Sequence, residues 1–212
     1  MRPIFITGIG TGVGKTVTAA IITEALQGDY WKPVQTGLEE GTDANTIQTL
    51  LTNTSSRVFD EVYKLHLPAS PHIAAKEENV VIDTDKILSR CQQLQKDSNL
   101  MIVEGAGGLL VPLNDDEFIL HLVKKLEAKV ILVSRNYLGS INHSLLTATV
   151  CKQHNIDVIG WMFNDQFQSY ENDIVRWSGY PKIGSIRQAG TVNKSFVAEQ
   201  AAAVRSSLQA LL

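Results

Sequence analysis

Short apolar runs alternate with longer amphipathic stretches along most of the chain. The apolar runs are rich in Ile, Val and Leu and show no polar alternation, which is typical of strands that are buried on both faces. They cover residues 4–7, 30–34, 100–103, 130–133 and 158–163. The stretches between them have helical spacing and cover residues 15–26, 43–51, 85–95, 118–126, 141–154 and 196–211. This alternation predicts an α/β fold with a mostly parallel central sheet and helices on both faces.

The segment 52–82 has the weakest pattern. We expect a long connection there, with one short strand near residues 62–67. No repeat or low-complexity linker interrupts the chain of 212 residues, so we predict a single domain over 1–212. A hydrophobic content of 44% and a charged content of 19% exclude a disordered chain.

The charge balance and the apolar runs limit the class of partner. The 19 basic and 22 acidic residues give a formal net charge of -3, which argues against nucleic acid as a partner. No apolar run is long enough to span a bilayer, and the first residues do not have the form of a signal peptide. Cys91 and Cys151 form no metal-binding motif. We therefore expect a cytoplasmic protein with no membrane partner.

A glycine-rich loop carries the strongest chemical signal. Residues 8–16 read GIGTGVGKT, directly after a predicted strand and at the start of a predicted helix. In such a loop, backbone N–H groups point at phosphate oxygens and the helix N-terminus adds positive charge. Lys15 can reach the outer phosphates, and the Thr16 hydroxyl can ligate magnesium. A glycine-rich turn without a ligand is the alternative, which the Gly-Lys-Thr ending disfavours.

The spacing of this loop differs from that of related motifs. Five residues separate Gly8 from Gly14, one more than in the common phosphate-binding loop. A dinucleotide-binding fingerprint that starts at Gly8 would need its third glycine at Val13. The sequence therefore indicates a variant P-loop NTPase-like fold.

Two carboxylates are candidates for a metal site. Glu104 ends a buried strand and is followed by small residues up to Gly108, in the sequence EGAGG. Because ligands bind beyond the C-terminal ends of parallel strands, Glu104 should lie near the glycine-rich loop. Its alternative is a solvated turn. Asp43 stands at a predicted helix start, where an N-cap and a metal ligand are equally good interpretations.

Lys32 is a second candidate cation. It lies in an apolar run, where a lysine is costly unless an anion pairs with it. It could instead be an edge-strand lysine whose charge reaches water. Residues 139–142 follow a strand and open a helix, so their N–H groups could hold an anion. We interpret His143 as a helix-face residue and residues 70–72 as a loop turn.

Taken together, these segments resemble the dethiobiotin synthetases. The matching pieces follow the family's order over most of the chain, and the longer glycine-rich loop is the family's own form. They are residues 7–16, KPVQTG at 32–37, TDA at 42–44, SPH at 70–72, EGAGG at 104–108, GSINH at 139–143, and GW at 160–161 with Asn164.

The resemblance implies an ATP-dependent cyclo-ligase of biotin biosynthesis. Its substrates would be 7,8-diaminononanoate, CO2 and ATP with Mg2+. One amine would take up CO2 as a carbamate, whose oxygen attacks the γ-phosphate to give a carbamic–phosphoric anhydride. The second amine would then close the ureido ring and release phosphate.

The resemblance also implies the roles of individual residues. Lys32 and Lys15 would be catalytic, and Thr16, Asp43 and Glu104 would hold magnesium. Thr11 and Thr36 would contact the diamine. The family is homodimeric, and the helix start at Gly139, Ser140, Ile141 and Asn142 would hold the substrate's carboxylate tail in the partner subunit's site. The ATP-binding set would be Gly12, Val13, Gly14, Lys15, Thr16, Val17, Asp43, Glu104, Gly105, Ala106, Gly107, Asn164, Arg187, Gln188 and Ala189.

The sequence departs from the family pattern at two places. Gly12 stands where some members carry Glu, so a side-chain contact to the diamine would be missing or replaced by backbone. The base-reading loop lacks the Pro that many members carry after Ile186, and Lys194 lies near the place of an expected Glu. The preference for ATP over other nucleotides is left open by this loop.

Two other classes of protein fit the sequence less well. A nucleotide-switch ATPase of the partition or septum-placement type usually carries a signature lysine early in the loop, where this chain has Gly10. Residues 197–212 also lack the basic face of a membrane-targeting helix. A small-molecule kinase is disfavoured by the longer loop and by the lack of an arginine-rich lid.

Overall fold

A computed structural model describes residues 1–98, 100–165, 168 and 170–212. Within these residues the strands are β1 (Ile4–Gly8), β2 (Asp29–Trp31), β3 (Val34–Thr36), β4 (Val58–Phe59), β5 (Tyr63–Leu65), β6 (Met101–Gly108), β7 (Lys129–Arg135), β8 (Val158–Asn164) and β9 (Lys182–Ile186). The helices are α1 (Lys15–Leu26), α2 (Asp43–Leu50), α3 (Pro71–Glu77), α4 (Thr84–Gln95), α5 (Ile119–Lys125), α6 (Ser140–Gln153), α7 (Glu171–Ser178) and α8 (Lys194–Leu211).

Seven strands form a parallel central sheet in the order β4-β2-β6-β1-β7-β8-β9. The strands β3 and β5 pair in a small second sheet, also parallel. Strand β1 lies at the centre, between β6 and β7. The residues that follow β1 therefore meet those that follow its neighbours, at one edge of the sheet.

Both faces of the sheet are covered by helices. Along β1, Ile4 and Ile6 pack in a core with apolar residues of α1, α2 and α8. Phe5 points the other way, into a core with residues of α3, α4, α5, α6 and α7. This alternation follows from the two-residue period of a strand, with both faces buried. The predicted α/β fold, with a parallel sheet between two helical layers, is confirmed. None of the described helices is long and apolar enough to cross a lipid bilayer.

The predicted strand over residues 30–34 is wrong as a continuous element. It divides into β2 and β3, with Lys32 and Pro33 between them. Pro33 has no N–H to donate to a sheet ladder, and its carbonyl accepts hydrogen bonds from the N–H groups of Val62 and Tyr63. The chain therefore leaves the central sheet at Lys32 and continues in the second sheet.

Several short elements were not predicted, namely β4, α3, α7 and β9. The predicted short strand near residues 62–67 is present as β5. The loop turn expected at residues 70–72 is wrong, because Pro71 is the first residue of α3. Its fixed φ and missing N–H suit the first helical position.

Candidate active site

The glycine-rich loop connects β1 to α1. Gly12 and Gly14 have φ angles of +70° and +87°, in the left-handed region that favours glycine. The ammonium group of Lys15 donates to the Gly10 carbonyl at 2.8 Å. Asn164, at the end of β8, donates from Nδ2 to the Val13 carbonyl at 2.6 Å. The loop is therefore fixed both by its own lysine and by a neighbouring strand.

Three oxygen-bearing side chains from different elements converge beside this loop. The Thr16 hydroxyl oxygen, in the first turn of α1, lies 2.9 Å from Glu104 Oε1 and 3.0 Å from Asp43 Oδ1. Glu104 lies in β6 and is 1% exposed, so the interpretation as a solvated turn is wrong. Hydroxyl and carboxylate oxygens are ligands that Mg2+ prefers. The donor set therefore fits a hard divalent cation.

Asp43 is not the N-cap of α2. Thr42 takes that place, and its hydroxyl accepts from the N–H of Asn45 at 3.2 Å. The backbone N–H of Asp43 donates to Gln35 Oε1 at 3.2 Å. With capping done by its neighbour, Asp43 turns its carboxylate towards Thr16 and Lys32.

Lys32 forms ion pairs with both carboxylates. Its ammonium group contacts Asp43 Oδ2 and lies 3.4 Å from Glu104 Oε1, and its side chain is 9% exposed. Burial opposes the charge, but Glu104 and Asp43 together raise the pKa of Lys32 above its ordinary value. Lys32 is thus an anion-paired lysine and not one that reaches water.

Lys15 has the opposite balance. Burial lowers the pKa of Lys15 to about 8; the charge of Lys32 acts in the same direction, while Glu104 and Asp43 oppose both. Keeping Lys15 positively charged next to the loop therefore costs free energy. An anion such as a phosphate chain would relieve that cost.

Sequence reasoning missed Tyr30, in β2. Its hydroxyl donates to Glu104 Oε2 at 2.7 Å, and its side chain is fully buried. Burial, and next the charge of Glu104, raise the pKa of Tyr30 well above its ordinary value. A signal was present, because Tyr30 and Lys32 are two residues apart and so share a side of an extended chain. Gln35 and residues 68–71 also line the site, although the sequence assigned no site role to them.

A cavity of about 720 Å³ opens above these groups. Its wall contains the two lysines and the three oxygen ligands, and Thr11 and Thr36 also line it. From β6, Ala106 and Gly107 join this wall; Gly105 packs against the ring of Phe5 instead.

A second cavity of about 300 Å³ adjoins the first and shares Gly12, Gly14 and Val17 with it. Asn164 lies in its wall, together with Arg187, Gln188 and Ala189 after β9. Arg187 is paired with Glu199 at 2.7 Å, and its guanidinium lies 5.3 Å from the ring centre of Phe196. The two cavities together form one elongated space along the loop.

Residues 139–142 lie apart from this space. They open α6 and line neither cavity. The Ser140 hydroxyl lies 2.8 Å from the Tyr170 hydroxyl and is buried, so this side chain is already in use. Beside them, Leu138 is 89% exposed. His143 lies on the helix surface, as expected, with Nδ1 2.6 Å from the Tyr137 hydroxyl.

Comparison with known proteins decides the family. A family model described as an AAA domain matches residues 2–195. An ATP-dependent dethiobiotin synthetase of Cytophaga hutchinsonii is 46% identical over 93% of this chain and 94% of its own length. The chain belongs to the dethiobiotin synthetase family. Another member of the family, from Christiangramia forsetii, is 42% identical over 98% of both chains. The family resemblance predicted from the sequence is thereby confirmed.

Solved structures of ATPases share this fold at low sequence identity. The cell division ATPase MinD of Pyrococcus furiosus superimposes with a TM-score of 0.63 at 11% identity, covering 100% of both chains. A ParA family ATPase from Chlorobium tepidum gives a TM-score of 0.56 at 15% identity, covering 99% of this chain and 93% of its own. At these identities the likeness shows the P-loop NTPase fold alone. This chain thus shares its fold with MinD and with a ParA family ATPase.

Proposed function

We propose that this protein is an ATP-dependent dethiobiotin synthetase. It joins CO2 to the two amines of 7,8-diaminononanoate, closes the ureido ring of dethiobiotin, and releases ADP and phosphate. The observation that carries the proposal is the meeting of Lys15, Lys32, Thr16, Asp43 and Glu104 at one cavity. The 46% identity to a synthetase over nearly the whole chain supports it.

ATP-dependent P-loop enzymes use a divalent metal ion. In this protein Thr16, Asp43 and Glu104 would hold it, and we infer that it is Mg2+ because all three offer oxygen ligands. When bound, the ion would neutralise charge on the outer phosphates.

The reaction has three steps. One substrate amine adds to CO2 and loses a proton, giving a carbamate. A carbamate oxygen attacks the γ-phosphorus, the bond to the β-phosphate oxygen breaks, and ADP leaves. The second amine attacks the carbonyl carbon of the anhydride, and phosphate leaves as the ring closes. Each step forms negative charge, or transfers it between groups, within a small volume.

The two lysines supply the compensating positive charge. Lys15 extends from the loop that would carry the phosphates, and Lys32, close enough for its charge to act on Lys15, pairs with the two carboxylates. Preorganised charges of this kind stabilise a phosphoryl-transfer transition state without forming covalent bonds. A carbamate held between them would lie close to the γ-phosphate.

The nucleotide would lie along the elongated space. The loop from Gly12 to Val17 would bind its phosphates, together with the β6 residues Ala106 and Gly107, which line the first cavity. Its base would occupy the second cavity, next to Asn164 and the segment from Arg187 to Ala189.

The diamine would occupy the first cavity, beside Thr11 and Thr36. We further propose a homodimer, in which residues 139–142 hold the substrate's carboxylate in the partner subunit's site. The exposure of Leu138 and Leu146, at 89% and 57%, supports an apolar interface near the start of α6. We propose the cytoplasm as the location of the enzyme.

The decisive experiment measures phosphate release from ATP, Mg2+ and bicarbonate, with and without 7,8-diaminononanoate. We expect release that depends on the diamine, and a product whose mass includes the new ureido carbonyl. Equal release without the diamine would reject the proposed reaction.

A further inference from the structure

We propose that Tyr30 is a positioning residue that fixes the carboxylate of Glu104 so that one defined oxygen faces the nucleotide and its metal ion. This inference rests on the proposed function only in giving Glu104 a place among the metal ligands.

The two oxygens of Glu104 have different partners. Oε2 accepts from the Tyr30 hydroxyl at 2.7 Å. Oε1 lies 2.9 Å from the Thr16 hydroxyl oxygen and 3.4 Å from the Lys32 ammonium group. Because the Tyr30 hydroxyl holds Oε2, the carboxylate does not rotate, and Oε1 is the oxygen that faces the cavity.

Both partners of this hydrogen bond are shielded from bulk solvent. Tyr30 is fully buried and Glu104 is 1% exposed. Among the residues that the structure describes, no donor other than Tyr30 bonds to Oε2. Removing the hydroxyl would therefore leave a buried carboxylate oxygen without a partner, which is costly. The carboxylate would be free to rotate until Oε2 finds another donor.

The placement of Tyr30 follows from the sheet. Strand β2 pairs with β6, and Tyr30 stands opposite Ile102. Trp31 packs in one core while Tyr30 packs in the other, as the strand period requires. Tyr30 and Lys32 therefore approach Glu104 from one side of the same segment, the first to hold Oε2 and the second to pair with Oε1.

The test is the effect of Mg2+ on ADP affinity, measured by calorimetry for the wild type and Tyr30→Phe. The ratio of the ADP dissociation constants without and with Mg2+ reports how well the protein holds the metal ion. We expect Tyr30→Phe to reduce this ratio about tenfold, as is common when a partner of a metal ligand is removed. ADP affinity without metal should stay within about twofold, since no nucleotide contact is changed.

Tyr63→Phe is the matched control. Its hydroxyl is also a buried partner, accepting from the Asp83 N–H at 3.0 Å, but it lies at the start of α4, away from the cavity. We expect this variant to keep the wild-type ratio. An equal ratio in the wild type and Tyr30→Phe overturns the proposal. A Tyr30→Phe protein that loses ADP affinity even without metal has a structural defect and also overturns it.

A cycle with Glu104→Gln tests whether Tyr30 acts through Glu104. In that background, Tyr30→Phe should change the ratio by less than about twofold, because the group it positions is already altered. If Tyr30→Phe fails to fold, proton NMR of the wild-type ADP complex replaces it. A slowly exchanging Tyr30 hydroxyl signal should shift when Mg2+ is added, and a signal that stays in place overturns the proposal.

The outcome is separate from that of the proposed reaction, because no diamine is present in these measurements. Loss of diamine dependence in phosphate release would reject the synthetase reaction and leave the Tyr30 result intact. A normal synthetase with an unchanged ratio in Tyr30→Phe would reject only the positioning role.

Discussion

The ammonium group of Lys32 lies 3.4 Å from Glu104 Oε1, although 72 positions separate the two residues in the chain. The pair is buried, so the attraction is not screened as it would be at the surface. A buried charge pair is held only where its partners are fixed. In this site Tyr30 and Thr16 hold Glu104 in place, and Asp43 holds Lys32.

Replacing Lys32 would remove the cation that we propose to face the transferring phosphoryl group. We expect Lys32→Ala to lose about 3 kcal/mol of transition-state stabilisation, or about 100-fold in kcat, as for other preorganised charges. The measurement is diamine-dependent phosphate release at saturating ATP. Exposed Lys96, at the end of α4, provides the control Lys96→Ala, which should keep wild-type turnover. Near-normal turnover of Lys32→Ala would contradict the role assigned to this lysine.

Two glycines of the same loop should respond differently to an added methyl group. At Gly14, φ is +87° and a Cβ would lie 2.5 Å from Asn164 Nδ2. At Gly10, a Cβ would meet no atom within 4 Å. We expect Gly14→Ala to cost about 2 kcal/mol of unfolding free energy, from the left-handed conformation and the contact, and to weaken ADP binding about tenfold.

Gly10→Ala should keep both properties within a factor of about two in affinity. Urea unfolding and ADP titration compare the two variants directly. Similar losses in both would show that the loop tolerates no side chain at all, and that the contact with Asn164 is not the cause.

Mixing two inactive variants tests the proposed sharing of sites between subunits. Lys32→Ala removes the lysine of a protomer's own site, and Asn142→Asp places a negative charge where the partner's substrate carboxylate would bind. In a two-fold symmetric dimer, each mixed dimer has one site with both residues intact. Random mixing should restore about a quarter of wild-type activity. A mixture as inactive as its components would place residues 139–142 outside the site.

Glu24 should make stability depend on pH. Burial alone would raise the pKa of Glu24, but hydrogen bonds from Thr52 and Asn53 outweigh burial and hold it below its ordinary value. Thr52 donates its N–H at 2.9 Å, and the Asn53 amide donates at 2.9 Å. The folded state therefore binds this proton less tightly than the unfolded chain. The stabilisation is present above the ordinary carboxyl range and is lost as the pH falls through the lowered pKa.

We expect Glu24→Gln to lower the unfolding free energy by about 2 kcal/mol at neutral pH, the usual contribution of hydrogen bonds to a charged group. The difference from the wild type should shrink as the pH falls through the lowered pKa of Glu24, where the wild-type carboxyl also takes up its proton. Exposed Glu77 gives the control Glu77→Gln, which should match the wild type at neutral and at acid pH. A constant difference across this range would assign the effect to shape and not to charge.

The parts of the site that could be predicted from sequence are those with a short, local signal. The loop at residues 8–16 and the strand-end Glu104 needed only the order of residues along the chain. The two-residue spacing between Tyr30 and Lys32 indicates only that they share a side of the chain, because the bond of Tyr30 to Glu104 depends on the register between β2 and β6. The interruption of the strand at Pro33 was missed because the apolar run continues through this residue. What ends the strand pairing is the N–H that proline lacks.

The short elements α7 and β9 were missed for a different reason. They are as long as α2 and β1, which were predicted, but ENDIVRWS and KIGSI contain no continuous apolar run that marks them as elements, and tertiary packing decides their form. The effect on the site is local. Arg187, Gln188 and Ala189 follow β9 directly, so the wall of the second cavity is formed by an element that the pattern did not indicate.

The central place of β1 has a consequence for how the protein is made. On the ribosome, residues 4–8 emerge before the strands on either side of them, which are residues 101–108 and 129–135. Both edges of β1 therefore stay unpaired until residue 101 and those after it have been synthesised. A nascent chain that stops before residue 129 would already contain the loop, both lysines and all three oxygen ligands. It would lack β7, the strand that closes the second edge of β1.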